Sequence, residues 1–260
     1  MNDFSLYVAR DSGLHKLHPL TKGIYVLFVL VAGFTLPGPW TSYFVVAFGI
    51  LPLAAWGKVL GIHLRSVWRV TWPFALSVLL IQGLFWGHGE DLVSLGPLAL
   101  KKEGVAFAFI SIGRILLVMS SFILFSLTTR PDMLMISLKQ AGFPGSIAYI
   151  FVTTLQIIPR FQSRAQTVLD AQRSRGLETE GNLLVRSRAL VPLVVPLVLG
   201  SLVDVEERAI AIEARAFNSN HKETSVVEIP DSLLQKRIRA VLTAGAALLV
   251  VAGFAWRLLS

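Results

Sequence analysis

No charged side chain occurs between residues 23 and 56, a run of 34 positions without Asp, Glu, Lys or Arg. This length is enough for two membrane-crossing helices of about 17–20 residues each, and Pro37-Gly38-Pro39 near its middle predicts a tight turn between them. Of the 260 residues, 54 % are hydrophobic and only 15 % are charged, against about 25 % charged in ordinary soluble domains. A disulfide scaffold, a coiled coil, a disordered chain and an ordinary cytosolic enzyme are excluded. The sequence predicts a polytopic membrane protein.

Five apolar stretches are long enough to span a bilayer. They cover residues 20–36, 40–56, 67–86, 105–127 and 240–256. Two further apolar segments, 147–159 and 189–203, are shorter and contain or end at proline. If both crossed the membrane, the six arginines between residues 160 and 188 would lie outside, against the positive-inside rule. We therefore interpret both segments as helices that stay on the cytoplasmic side or at the interface.

The distribution of basic residues predicts the orientation. Lys and Arg number 24 against 16 Asp and Glu, a net charge of +8, and basic residues collect in cytoplasmic loops. The rule places the N-terminus inside the cell, in the cytoplasmic membrane. It predicts an all-α membrane protein in three parts: four spans in residues 1–129, a cytoplasmic domain in 130–235 and a fifth span in 236–260. No basic module with interleaved aromatic residues appears, so nucleic acid is not an expected partner.

The predicted cytoplasmic domain contains two long amphipathic helices. Their apolar residues recur three and four positions apart, and include Ile147, Phe151 and Leu155 in the first helix and Val198 and Leu202 in the second. On the second helix, Asp204 and Arg208 have the spacing of an ion pair one turn apart.

Each amphipathic helix ends in an arginine between small residues, and the two triplets lie forty residues apart. They are Ser174-Arg175-Gly176 and Ala214-Arg215-Ala216. One interpretation is a simple C-terminal charge that the helix carbonyls stabilise. The other is docking onto another protein, because small neighbours let a helix tip enter a groove where carboxylates or carbonyls bind the guanidinium.

Catalytic and cofactor motifs are missing from the sequence. No phosphate-binding loop occurs, the five histidines have no metal-ligand spacing, and there is no cysteine. We therefore predict that the chain is not an enzyme and binds neither nucleotide nor metal.

Arg114 lies about 15 Å into the fourth predicted span. An arginine at this depth faces a bundle interior or a partner. It either holds the bundle together, through hydroxyls such as those of Ser120 or Ser121, or has a direct role in transport.

Three places in the chain resemble one known family, the transmembrane T component of energy-coupling factor (ECF) transporters, which are ABC-type importers. They are the N-terminal string LHKLHPLTK at residues 14–22, the Thr-Thr-Arg-Pro step at 128–131 and the two arginine triplets. Ser174 and Ala216 depart from the family's Ala-Arg-Gly signature but remain small. His18 stands where the family usually has Asp.

The resemblance implies a coupling subunit. Arg175 and Arg215, with Ser174, Gly176, Ala214 and Ala216, would seat in grooves of two ABC ATPase subunits. The amphipathic helices would cross beneath a small membrane-embedded S component that binds a vitamin or metal ion. ATP and Mg²⁺ would bind the ATPases, and this chain would hold no cofactor. The first alternative is a permease or ion carrier that moves its substrate past Arg114. The second is a structural or regulatory membrane anchor without transport.

Overall fold

The computed structural model describes residues 7–36, 38–85, 91–95, 98–177, 182–215 and 229–259. The chain forms two compact units. Residues 1–143 together with 229–260 are named the membrane unit, and residues 144–228 the two-helix unit.

The membrane unit is built from helices. A single turn, α1 (Gly13–Lys16), precedes α2 (Pro19–Thr35). The second apolar stretch contains α3 (Thr41–Val45), a π-helical turn (Val46–Ile50) and α4 (Leu51–Trp56). The remaining helices of the unit are α5 (Leu60–Phe85), α6 (Lys102–Thr128), α7 (Pro131–Gln140) and α10 (Leu233–Leu259). The strands β1 (Asp91–Leu95) and β2 (Leu98–Lys101) form an antiparallel pair between α5 and α6, where the sequence predicts only a loop.

Among the described residues, three helices are long and apolar enough to cross a membrane. These segments are Leu60–Gly83, Lys102–Thr128 and Leu233–Ala255, and two shorter apolar helical segments cover Pro19–Thr35 and Thr41–Trp56. They overlap the five stretches that the sequence predicts, and the prediction of an all-α membrane protein is confirmed. That all five segments cross the bilayer stays a prediction. Within a bilayer, helices satisfy every backbone hydrogen bond internally, which is why long apolar runs take this form.

The turn between the first two apolar helices has a glycine in the left-handed region, with φ +127° at Gly38. Pro37 lies outside the described residues. The π-helical turn follows, and the hydroxyl of Tyr25 on α2 donates a hydrogen bond of 2.8 Å to the carbonyl of Gly49. Because Pro52 has no N–H to donate to the preceding turn, the regular helical ladder is interrupted here.

The core of the membrane unit lies where α1, α2, α4 and the π-helical turn meet α6. Its fully buried side chains include Ile50, Ala54, Val59 and Leu117. α5 packs along α6, α10 packs along α2, and α7 also contacts α2. Helix α7 begins just after the predicted domain boundary at residue 130, but it belongs to the membrane unit. A cytoplasmic location for residues 130–235 stays a prediction.

The two-helix unit consists of α8 (Gly145–Ser174) and α9 (Leu183–Ala214), which pack against each other. Each helix contains proline in its first two thirds, Pro159 in α8 and Pro192 and Pro196 in α9. Neither helix is among the candidate membrane spans of the described chain.

Close approach of α2 and α6 depends on Gly33. A Cβ atom at this position would overlap Cδ2 of Leu117, a side chain that is itself fully buried. We expect Gly33→Ala to lower the free energy of unfolding by about 1–3 kcal/mol, the usual cost of overpacking. Thermal unfolding of the detergent-solubilised protein measures this change.

The matched control is Gly61→Ala on α5, where a Cβ would meet nothing within 4 Å. This variant should leave stability unchanged or raise it by up to about 1 kcal/mol, because alanine is the better helix former. Equal unfolding temperatures for the two variants would contradict the close approach at Gly33.

Candidate functional site

The C-terminus of α8 closes with a Schellman arrangement of hydrogen bonds around Arg175. The amide of Leu177 donates to the carbonyl of Gln172 at 3.0 Å, and the amide of Gly176 donates to that of Arg173 at 2.9 Å. Gly176 has φ +89°, a left-handed conformation that glycine adopts without strain. Arg175 is the C-cap residue, with φ −90° and ψ 8°. The sequence therefore fixes the end of this helix at the arginine.

The C-terminus of α9 has the same backbone conformation at its cap residue, Arg215. Arg215 is again the C-cap residue, with φ −90° and ψ 9°, and its amide donates to the carbonyl of Ile212 at 3.2 Å. Ala216, the last residue of the predicted triplet, lies outside the described residues. The two arginines thus occupy the same helix position with the same backbone conformation.

Both arginine side chains are exposed, and so are Ser174, Gly176 and Ala214 beside them. The Ser174 hydroxyl donates to the carbonyl of Asp170 on its own helix at 3.0 Å. Neither guanidinium has an ion-pair partner in the part of the chain that the structure describes. Each helix therefore presents a positive charge at its carbonyl end. The described residues next to each arginine are small and leave the guanidinium open to a partner.

The apolar residues predicted on these helices are also exposed. Phe151 and Val198 are each 50 % exposed and Leu202 is 60 % exposed, and Ile147 and Leu155 are exposed as well. Side chains of this kind on two neighbouring helices form a surface that can bury area against another protein.

An ion pair joins α8 and α9 at Arg164 and Asp204. Nη1 of Arg164 lies 2.6 Å from Oδ2 of Asp204, and Nη2 lies 3.1 Å from Oδ1, so the contact is bidentate. The predicted pair of Asp204 with Arg208 on the same helix is wrong, because the carboxylate faces the crossing helix instead. A cleft of about 820 Å³ adjoins this contact, between residues 153–164 of α8 and 201–212 of α9.

The N-terminal string and the Thr-Thr-Arg-Pro step contact each other in the membrane unit. Nζ of Lys22 is buried and donates to the backbone carbonyl of Thr128 at 2.7 Å, at the C-terminal end of α6. The partial negative charge of that helix end suits an ammonium group. The string therefore connects the start of α2 to the end of α6.

His18 forms the N-cap of α2 and also contacts α10. Its Nδ1 accepts hydrogen bonds from the amide of Leu20 at 3.3 Å and from Nη1 of Arg239 at 3.3 Å. Its own amide donates to Oε1 of Gln235 at 2.8 Å, and Arg239 forms an ion pair with Asp231. Burial lowers the pKa of His18 below its ordinary value; the Asp231 carboxylate raises this pKa and the Arg239 guanidinium lowers it.

Arg114 is exposed on α6, with its guanidinium carbon 5.7 Å from the centre of the Phe34 ring. The hydroxyls that the sequence offers as partners are engaged elsewhere. That of Ser120 lies 2.9 Å from Nε2 of His63, and that of Ser121 donates to the carbonyl of Leu117 at 2.7 Å. Within the described residues Arg114 has no ion-pair partner.

Sequence reasoning missed two of these contacts, the pair of Arg164 with Asp204 and the cluster of His18 with Gln235 and Arg239. One signal for the first was available. Arg164 and Asp204 are forty residues apart, the same offset that separates the two terminal arginines.

Comparisons with known proteins find similar sequences over most of the chain. Residues 10–226 match the family described as CbiQ, cobalt transport protein. The chain is 33 % identical over 230 residues to the energy-coupling factor transporter transmembrane protein EcfT of Heliobacterium modesticaldum, covering 84 % of this chain and 85 % of that protein. It is 34 % identical to EcfT of Thermanaerovibrio acidaminovorans, covering 81 % of each. Identity to EcfT of Limosilactobacillus fermentum is 28 %, over 88 % of this chain and 91 % of that protein.

The contacts of His18 predict a pH dependence of stability. Its pKa is lower in the folded protein than in the unfolded chain, so stability is lost as pH falls through the unfolded value of about 6.5. Protonated Nδ1 could accept neither the Leu20 amide nor the Arg239 donor. We expect the unfolding temperature to fall between about pH 7.5 and 5.5.

Asparagine keeps a cap acceptor at this position and has no charge to gain. His18→Asn should therefore show a smaller fall over the same pH range, with the remainder including His15, whose pKa is also lowered by burial. If the two proteins lose stability in parallel, His18 is not responsible.

Proposed function

The chain belongs to the CbiQ cobalt transport protein family, as an energy-coupling factor transporter transmembrane component, and we propose that it links two separate ABC ATPase subunits to a membrane-embedded S component. In this proposal, ATP hydrolysis on the ATPases moves the S component and so drives uptake of a vitamin or metal ion. The observation that carries the proposal is the matched pair of helix ends at Arg175 and Arg215.

Each terminal arginine is suited to dock into a groove of one ATPase. The guanidinium is planar and offers five N–H donors, so it can bind a carboxylate or several backbone carbonyls in a fixed orientation. Ser174, Gly176 and Ala214 leave the approach to the helix tips open, and Ala216 supplies a fourth small residue in the sequence. Two equivalent tips fit two equivalent partners.

The exposed apolar residues of α8 and α9 are the proposed contact for the S component. A small membrane subunit carries apolar helices, and burial of residues such as Phe151 and Leu202 against it would contribute about 25 cal/mol per Å² of apolar surface. The substrate would be chosen by that subunit. Among the described residues, no group of three or more His, Cys, Asp or Glu side chains could hold a metal ion.

The proposal also covers where the chain lies in the cell and which subunit binds ATP. The chain lies in the cytoplasmic membrane with its N-terminus inside, following the positive-inside rule. It acts as a transporter subunit and not as an enzyme, and ATP with Mg²⁺ binds to the partner ATPases.

Arg114 has a structural role in this proposal. The thirteenth residue of α6, it lies about 18 Å from the start of that helix, and its contact with the Phe34 ring joins α6 to α2. A permease that moves substrate past Arg114 is the competing function, and its exposure at mid-span is the observation in favour of it.

The docking role predicts that Arg175→Glu combined with Arg215→Glu abolishes association with the ATPases, because like charges would then meet in the groove. Co-purification from membranes that also contain the ATPases and the S component measures this loss, and transport should fall to background. The protein itself should still insert, and its unfolding temperature should fall only slightly, because a carboxylate replaces a cation at each helix C-terminus.

Arg160→Glu combined with Arg208→Glu is the matched control, since it makes the same change in charge on the same two helices away from their caps. ATPase association should be largely retained. Equal loss in both double variants would mean that the helices bind through general positive charge, not through the tips.

Arg114→Leu separates the structural role from a transport pathway. A structural role predicts lower thermal stability, by about 0.5–2 kcal/mol for a lost cation–π contact, with transport per assembled complex preserved. Arg114→Lys keeps the charge and should retain most of the stability. Loss of transport in complexes that assemble and remain stable would favour the permease.

A further inference from the structure

One face of α5 carries two arginines and two tryptophans. Their spacing is that of positions i, i+3, i+4 and i+7, which lie on one face of an α-helix. All four side chains are exposed. They are named the Arg–Trp face, and its members are Arg65, Trp68, Arg69 and Trp72.

The roughly opposite face of α5 packs into the membrane unit. His63, Val67 and Thr71 follow one another every four residues and are buried, and Nε2 of His63 lies 2.9 Å from the Ser120 hydroxyl on α6. Because these residues turn one side of α5 toward α6, the Arg–Trp face points away from that helix. It is open to whatever surrounds the membrane unit at this level.

The two tryptophans form a continuous aromatic surface. The ring centroids of Trp68 and Trp72 lie 6.3 Å apart with 19° between the ring planes, and the two residues are 71 % and 50 % exposed. An indole has an apolar body and one N–H donor, and tryptophan is enriched where a membrane meets water. The pair therefore indicates the level of the lipid headgroups along α5.

The two arginines have no acidic partner in the part of the chain that the structure describes. In the sequence, no Asp or Glu occurs between Asp11 and Glu90, and Asp11 pairs with Lys16 at 2.8 Å. Two guanidiniums one turn apart repel each other. An anion between them removes this repulsion and accepts charge-assisted hydrogen bonds from both.

The space for such an anion is open. Gly61 lies one turn before Arg65, and a Cβ atom at this glycine would meet nothing within 4 Å. A headgroup can therefore approach the arginines along the helix without displacing a described side chain.

An apolar track continues the same face beyond the tryptophans. Leu76, Leu79 and Leu80 follow Trp72 at helical spacing and are exposed. From Trp72 to Leu80 the helix rises about 12 Å, close to the depth of about 15 Å of the hydrocarbon in one leaflet. The face is thus positively charged at one end, aromatic in the middle and apolar at the other end, in the order of an anionic headgroup and its acyl chains.

We propose that the Arg–Trp face is a binding site for one anionic phospholipid. The guanidiniums of Arg65 and Arg69 bind the phosphate, the indole N–H groups donate to phosphate or ester oxygens, and an acyl chain lies along the leucines. A zwitterionic lipid has the same phosphate with a compensating cation, so net charge is the basis of selection. The site involves neither the ATPases nor the S component and is separate from the proposed docking.

A neighbouring membrane subunit is the other occupant that an exposed apolar face admits. An apolar helix would leave both guanidiniums of the Arg–Trp face without a counter-charge beside hydrocarbon, which is costly. A phosphodiester supplies that charge at the required level. Charge complementarity therefore favours the lipid.

Tryptophan fluorescence tests the site in the full-length protein in phosphatidylcholine nanodiscs. Phosphatidylglycerol or phosphatidylcholine with brominated acyl chains is the quencher, and its concentration dependence gives the strength of binding. The chain has six tryptophans, so every protein is also measured with Trp68→Phe and Trp72→Phe, and the difference isolates the Arg–Trp face. Phosphatidylglycerol should bind there about tenfold more strongly than phosphatidylcholine, because each nearby arginine favours an anionic lipid.

Arg65→Gln combined with Arg69→Gln should remove this preference, and Arg65→Lys combined with Arg69→Lys should keep most of it because the charge remains. The matched control is Lys236→Gln combined with Arg237→Gln, which removes two exposed charges from the start of α10 and should leave the preference unchanged. Unfolding temperatures in phosphatidylcholine alone should match the parent in all three double variants, since the altered side chains are exposed.

Equal binding of the two lipids by the parent protein would overturn the site. Equal loss of the preference in both glutamine variants would also overturn it, because the preference would then come from general surface charge. The preference should persist when the parent is purified together with the S component. Protection of Trp68 and Trp72 from both lipids in that complex would mean that the subunit covers the face, and the lipid site would be wrong. ATPase association does not enter this readout, so failure of the proposed docking leaves the lipid result standing.

Discussion

A bilayer offers no water to backbone N–H and C=O groups, and the structure follows from this constraint. Apolar stretches satisfy their backbone as helices, which leaves unsatisfied groups only at helix ends. Several polar contacts of the membrane unit lie at these ends. Lys22 binds the last carbonyl of α6, and His18 caps the first turn of α2. In the two-helix unit, Arg175 and Arg215 occupy the corresponding ends of α8 and α9.

The membrane class, the five apolar segments and the ends of both amphipathic helices could be predicted from the sequence. These features depend on neighbouring residues, such as a charge-free run or an arginine followed by Gly176. The family could also be recognised, because its motifs are short and contiguous, and the comparisons confirm it. The docking role of the arginines stays a prediction, since it concerns proteins that are not part of this chain.

Contacts between distant segments were missed, and only the forty-residue offset pointed to one of them. Local spacing favours Asp204 with Arg208, but the crossing of α8 and α9 brings Arg164 closer. The cap at His18 looks like an isolated histidine until α10 places Gln235 and Arg239 beside it. A regular helix was expected through Gly49, where Pro52 and the Tyr25 hydroxyl instead accompany a π-helical turn. In each case tertiary packing decides between partners that are equally suitable in the sequence.

The last segments of α8 and α9, residues 164–175 and 204–215, are equally long and are here named the arms. Deleting one residue between Arg164 and Arg175 would rotate the terminal guanidinium by about 100° about the helix axis, because a turn contains 3.6 residues. It would also shorten that arm relative to its counterpart. Under the proposed docking, substitutions at exposed positions of the arms should be tolerated, whereas an insertion or deletion should be tolerated only when both arms change together. The same forty-residue offset separates Arg164 from Asp204 and Arg175 from Arg215, because the two arms have the same length.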